Sequence, residues 1–201
     1  MSTLPQKVKS VKRVYERLDK DIAAFQSKTT LHCLSGCGEC CKKPDIEAGI
    51  VEFLPLALDL YDRGLAESTL EELQQKPDSI CHVFRPHVTA FGGLCNAYPH
   101  RGLICRLFGF TARVNKEEQK ELVTCKYIKE EQSEAYKAAI AGISRGEKVP
   151  VMSEYYYRMQ SIDPGLQGFY PINVAMAKAI ETVLQYYAYR KRRKPKPSST
   201  T

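Results

Sequence analysis

The chain has 201 residues, enough for one domain of ordinary size and well above the length at which a small protein needs staples to fold. Its net charge is +7, but Arg190, Lys191, Arg192, Arg193, Lys194 and Lys196 follow the last expected helix, so the basic balance mostly describes a tail. No apolar run approaches the roughly 18 residues of a membrane span and the N-terminus has no apolar signal segment, so the chain is expected in the cytoplasm, where eight cysteines argue for metal or redox chemistry over a disulfide framework.

Val8, Val11, Tyr15, Leu18, Ile22 and Phe25 recur at three- and four-residue steps and predict a helix of about five turns with one core-facing stripe. Residues 1–28 are also locally basic, with seven Lys/Arg against Glu16, Asp19 and Asp21, which reads as a solvated face or as a contact for an anionic partner.

The stretch His32-Cys33-Leu34-Ser35-Gly36-Cys37-Gly38-Glu39-Cys40-Cys41 then holds four of the eight cysteines. Packing alone does not ask for this. Thiolates are soft ligands for zinc, iron or copper(I), and short spacing lets two sulfurs reach one metal from a tight turn. Gly36 and Gly38 relax the backbone around Cys37. Adjacent side chains in extended backbone point to opposite faces, so the pair Cys40-Cys41 is expected to serve two centres or to leave one thiol outside the metal shell. Glu39, Asp45 and Glu47 lie close by; a helix-start role for Asp45 and solvated surface for the other two are the expected readings.

From Ile46 to Leu60 the sequence is apolar nearly all round, as in a buried helix with Pro55 in its first turn or at a kink, and Gly64 is a stop. Ser68 with Glu71 predicts a capping box for a short helix ending before Pro77. Residues 80–125 are the least helical part and carry Cys81, Cys95, Cys105 and Cys125. Within them Phe108 to Val114 and Leu122 to Ile128 read as paired short strands, or Asn115 and Glu118 as the cap of a helical turn. Ala135, Ala139, Ile140 and Ile143 predict another helix before Gly146, Pro150 opens a Tyr-rich one, and Pro171 suits the first turn of a last helix to about Tyr189. The fold class is thus mainly α: a single helical domain over 1–189 around an irregular cysteine-rich metal-binding centre at 33–125, with the option of a short β-hairpin. Residues 190–201 form a basic tail expected to be disordered.

The segment from Cys95 through Tyr98, Arg101 and Cys105 to Arg106 and Gly109, taken with Cys33-x3-Cys37-x2-Cys40-Cys41, Cys81 and Cys125, resembles the CxxCxxCC or YkgJ-like cysteine-cluster family of zinc- or iron-chelating proteins. The resemblance covers roughly residues 33–125. It implies that Cys33, Cys37, Cys40, Cys41, Cys81, Cys95, Cys105 and Cys125 are the metal ligands. Members of the family usually show Arg-Pro before the second cysteine of this segment, whereas here Arg101 is followed by Gly102, a change in the rigidity of the turn that leaves the ligands untouched. Arg101 and Arg106 are placed to offset the negative charge of a thiolate centre and to donate to sulfur, or else to make ordinary ion pairs. His32, His82 and His100 stand near cysteines and are expected to be solvated or to act behind the ligands.

Two four-cysteine zinc sites would use eight thiolates without remainder, whereas one [4Fe–4S] cluster needs four; spacing does not choose between zinc, iron and an iron–sulfur cluster. The leading expectation is a cytoplasmic metal-binding protein with a structural, metal-handling or electron-transfer role. A second is a cluster-dependent enzyme, since the resemblance extends to flagellin lysine N-methylases, although no glycine-rich nucleotide loop is present. A third is a thiol redox sensor using Cys40-Cys41. A fourth, resting on the tail alone, is an adaptor for RNA or the ribosome.

Overall fold

The computed structural model describes residues 2–34, 37–76, 80–86 and 92–190. Eight α-helices and three two-stranded antiparallel pairs are present among them, a mainly helical fold. The basic tail from Lys191 onward lies outside the described residues, as do Ser35, Gly36, Pro77 and His87.

Helix α1 (Leu4–Thr29) buries the whole predicted stripe and Leu4 with it. It starts earlier than the stripe because Gln6 Oε1 accepts from the Thr3 amide at 2.7 Å, satisfying an end donor that otherwise lacks a partner. It stops at Thr30, whose left-handed conformation (φ 59°) returns its amide to Gln26 O. Leu4 to Ile22 face a larger core, whereas Phe25 enters a smaller one, so α1 ties the two together.

The apolar run 46–60 is not one helix. Residues Glu47–Gly49 form strand β1, Ile50–Phe53 a 3₁₀ turn, and only Leu54–Asp62 the α-helix α2, with Pro55 in its first turn. Of the strand only Ala48 is buried, and continuous burial begins at Ile50. The expected helix start at Asp45 falls in a turn before β1 instead. Gly64 (φ 74°) turns the chain into α3 (Ala66–Gln75). That helix begins ahead of the expected capping box: Leu65 is its cap residue, and Ser68 Oγ donates to Leu65 O.

Strands β2 (Phe84–Arg85) and β3 (Leu94–Cys95) pair as a minimal ribbon, followed by the five-residue helix α4 (Leu103–Leu107). The alternatives at 108–128 resolve to a hairpin of β4 (Thr111–Val114) with β5 (Lys120–Val123), shorter than the expected strands. Asn115 closes its loop by accepting from the amides of Glu117 and Gln119, rather than capping a helix. Helices α5 (Lys126–Glu131), α6 (Ser133–Ser144) and α7 (Met152–Gln160) follow. Val151, not Pro150, caps α7; Pro150 O accepts from Ala112 and docks this segment on the hairpin.

Pro171 ends strand β6 (Phe169–Pro171), which pairs with β1, and α8 (Ile172–Ala188) begins one residue later. α8 packs on α2 and α3, completing the larger core with Met176, Ile180 and Val183. Each fully buried Leu or Ile there contributes roughly 1.5–3 kcal/mol. The smaller core joins the hairpin (Ala112, Leu122) to Ile128, Ala139 and Ile143 of α5 and α6, and the cysteine-bearing loops run between the two.

Candidate metal centre

Beyond α1, Leu31 enters the smaller core and the backbone of His32 is gripped from both sides by Gln132: the His32 amide donates to Gln132 Oε1 (3.0 Å), and Gln132 Nε2 donates to His32 O (2.7 Å). This anchors the residue before Cys33 to Gln132 at the C-terminal end of α5, whose N-terminal cap is Cys125. The turn from Leu34 O to the Cys37 amide (3.1 Å) brings Cys37 round, where it bridges to Gly92. Gly38 is needed there for space: a Cβ would lie 2.4 Å from Phe84 Cε2 and 2.9 Å from Gly93 O.

Cys40 and Cys41 lie in a 3₁₀ helix (Glu39–Lys42), not in extended backbone. With three residues per turn, consecutive side chains diverge by about a third of a turn. Cys40 is exposed and Cys41 packs against the larger core, yet the two thiols stay within hydrogen-bond reach of each other. Cys81 is buried in that core, in a turn closed by the Phe84 amide on Cys81 O (2.9 Å). Cys95 sits across the ribbon from Phe84, and Cys105 is carried on α4.

All eight cysteines line one cavity of about 620 Å³, together with Arg101 and Arg106. Cys40, Cys41, Cys81, Cys105 and Cys125 also line an adjoining cavity of about 750 Å³, which Glu39, Asp45 and Glu47 border. All eight are free thiols, and among the described residues no three His, Cys, Asp or Glu side chains converge at ligand distance. The donor chemistry nevertheless fits a thiophilic metal: eight soft sulfurs, a lining with more apolar than polar surface, and the buried Arg101 Nε, which has no hydrogen-bond partner.

Burial pushes the thiols of Cys33 and Cys81 up to about 11, and pushes those of Cys95 and Cys105 up as well. Cys40 moves the other way. The Cys41 thiol donates to its sulfur, and Arg101 adds a favourable charge, so Cys40 favours the thiolate while Cys41 is held as the thiol.

The two arginines differ. The Arg101 guanidinium stacks on Tyr98 at 3.7 Å, and its charge favours the thiolates of Cys33, Cys40 and Cys95. Arg106 is tied up structurally: it donates to Asp19 Oδ2 (2.6 Å), Pro99 O (2.8 Å) and Arg101 O (3.1 Å), and covers the Tyr15 ring at 4.4 Å. It thereby holds the 99–106 loop on α1. His82 and His100 face the carboxylates of Glu72 (3.4 Å) and Asp59 (3.8 Å), and His32 Nδ1 lies 3.1 Å from Thr30 O.

Two buried side chains that the sequence reading missed hold the loops. Glu52 accepts from the Gly49 amide (2.7 Å) and from the Ile104 amide (3.0 Å), just before Cys105. Asn173, at the start of α8, accepts from the His82 amide (2.8 Å) and donates to Ile80 O (3.1 Å), one residue on either side of Cys81. Only the interruption of an apolar run by Glu52 could have drawn attention to it.

Comparison with known families finds one match: the model of the CxxCxxCC family, described as "Putative zinc- or iron-chelating domain", covers residues 32–135, more than half of the chain. No curated protein and no solved structure matches. Among the described residues no helix is long and apolar enough to cross a membrane.

Proposed function

Because the chain belongs to the CxxCxxCC family, we propose that it holds zinc or iron, the latter as ions or as an iron–sulfur cluster, through Cys33, Cys37, Cys40, Cys41, Cys81, Cys95, Cys105 and Cys125. The observation that carries this reading is the single cavity lined by all eight thiols. Cysteines brought from separate stretches of chain to one space, without disulfides, make a ligand set rather than a stapled core. Each sulfur must lose its proton to bind, so loading releases protons and strengthens with pH, most for the thiols that burial has pushed up. Arg101 offsets part of the surplus negative charge that four thiolates leave around a divalent ion. The bound metal organises the 33–125 loops, and the loaded chain serves a structural, metal-handling or electron-transfer role in a reducing compartment such as the cytoplasm.

Anaerobic purification followed by metal and sulfide analysis tests this. About two zincs per chain, or four irons per cluster with matching sulfide and absorption near 400 nm, is the expected result. Metal-free protein with eight alkylatable thiols would overturn it.

A second reading has its own observation. Cys40 is exposed and favours the thiolate, the requirement for a peroxide- or disulfide-reactive sensor. Rapid alkylation of Cys40 alone in the protein as isolated would favour the sensor; protection of Cys40 until the metal is stripped would reject it.

A further inference from the structure

We propose that the outward face of α1, built from Lys9, Arg13, Arg17 and Lys20, is a docking surface for single-stranded RNA, with Tyr157 of α7 stacking on a base beside it. No cysteine and no metal takes part, so this surface stands apart from the metal-binding reading above.

Charge on α1 is sorted by face. The helix carries seven Lys/Arg and three carboxylates. Two of the carboxylates are engaged by the body: Asp19 pairs with Arg106, and Asp21 accepts from the Tyr155 hydroxyl. Lys7 is engaged as well, by Asp163. Lys9, Lys12, Arg13, Arg17 and Lys20 are all exposed, and among the described residues none of them makes an ion pair or a side-chain hydrogen bond. Glu16 is the one carboxylate left among these five cations.

Helical spacing makes four of them a row. At 3.6 residues per turn, positions 9, 13, 17 and 20 share a stripe opposite the buried one, in steps of about 6, 6 and 4.5 Å. Phosphates recur at a similar interval along an extended nucleic-acid strand, and a row of cations that meets them gains affinity by releasing their counterions, whatever the sequence.

Packing excludes the other anionic partners. The large apolar side chains of α1, from Leu4 to Phe25, all pack against the two cores, so none is left to enter a lipid surface or to centre a protein interface. Both α2 and α7 pack on α1 and cover its flanks, so it presents a strip rather than the free cylinder that enters the major groove of a duplex.

An aromatic completes the surface. The segment from Tyr155 to Asp163 runs along α1, tied to Asp21 at one end and to Lys7 at the other. Between the ties stands Tyr157, 75 % exposed, next to Arg158. A free ring beside a cationic row holds an unpaired base while the cations hold its phosphates. Unpaired strands in cells are chiefly RNA, which fixes the source.

The test uses the full-length chain and a fluorescein-labelled oligouridylate, followed by anisotropy between about 50 and 200 mM salt. Replacing Lys9, Arg13, Arg17 and Lys20 together by Gln is expected to weaken binding about tenfold or more and to flatten the slope of log K against log salt by about 2–3, at roughly 0.7 per phosphate contact. Tyr157→Ala is expected to weaken binding about fivefold or more. Removing the same charge elsewhere, by replacing the exposed Lys116, Lys120, Lys129 and Lys148 with Gln, should change binding by less than about twofold. Both quadruple variants should keep the helical circular dichroism of the parent. The α1 effect should also persist when Lys191, Arg192, Arg193, Lys194 and Lys196 are replaced by Gln, which separates the helix face from the tail. No binding by the parent at the lowest salt, equal loss in the two quadruple variants, or loss of the α1 effect in the tail variant would overturn the docking surface. Unchanged binding in Tyr157→Ala, or stronger competition by duplex DNA or by phosphatidylserine vesicles than by unlabelled oligouridylate, would overturn its assignment to single-stranded RNA.

Discussion

Asn173 grips Cys81 without touching its sulfur: one amide group on α8 bonds the residue before the cysteine and the residue after it. Asn173 is 1 % exposed, so removing its side chain takes a buried acceptor away from the His82 amide and leaves a small space beside Cys81. Asn173→Ala is expected to cost about 1–3 kcal/mol. It should also speed alkylation of Cys81 in metal-free protein far more than that of Cys125. Urea unfolding and site-resolved alkylation check both, and an unchanged Cys81 rate would refute the gripping role.

Glu52 gives the fold an unusual pH response. Burial pushes its carboxyl from an ordinary 4.5 up to about 7, so between those values the folded chain holds a proton that the unfolded chain has lost. Stability from this group is therefore full below about pH 4.5 and declines as pH rises toward 7, by about 3 kcal/mol in all. Glu52→Gln should remove that decline. Unfolding free energies of both proteins across pH 4–8 show it as a difference that narrows or reverses with rising pH; parallel curves would exclude it.

Gly102 follows Arg101 with a backbone (φ −62°, ψ 169°) that any residue could adopt. Space, not conformational freedom, keeps it glycine: a Cβ would stand 2.8 Å from Phe53 Cζ and 3.1 Å from Glu52 Oε2. Gly102→Ala is expected to destabilise by about 1–3 kcal/mol through overpacking. Adding Phe53→Leu should cost less in the Gly102→Ala background than in the parent. A double-mutant cycle by thermal unfolding measures the coupling, and simple additivity would mean that the contact is not the cause.

Thiolate character at Cys40 depends first on the Cys41 thiol and then, more weakly, on Arg101. In metal-free protein at pH 7, Cys41→Ala should slow alkylation of Cys40 several-fold and Arg101→Gln by a smaller factor. Competitive iodoacetamide labelling distinguishes them; equal rates in all three proteins would show that neither neighbour matters.

Elements with a long period were legible in the sequence. Six stripe residues of α1 declared one face over five turns, and all six are buried. The cysteine stretches were legible by their chemistry, as was the mainly helical plan around them. Short-range structure was not. β1 and β6 are three residues each and more than a hundred residues apart, and no local pattern announces such a pair. The same holds for Glu52 and Asn173, whose partners are backbone amides and carbonyls supplied by distant loops. A side chain's own identity does not reveal which foreign peptide group it will meet. Arg101 and Arg106 looked alike from spacing, yet the carboxylate of Asp19 and the face of Tyr15 on α1 claim only the second.

The placement of Asn173 on the last helix also sets an order of events during synthesis. Ribosomes deliver the chain from its N-terminal end at about 5–20 residues per second. The eighth cysteine, Cys125, therefore emerges some seconds before the side chain that fastens Cys81 and before the strand that pairs with β1. During that interval the thiols are nascent, reactive and without their final frame. On the metal-binding reading proposed above, lasting insertion waits for Asn173 and β6, and a nascent chain halted before β6 should neither retain zinc nor shield Cys81.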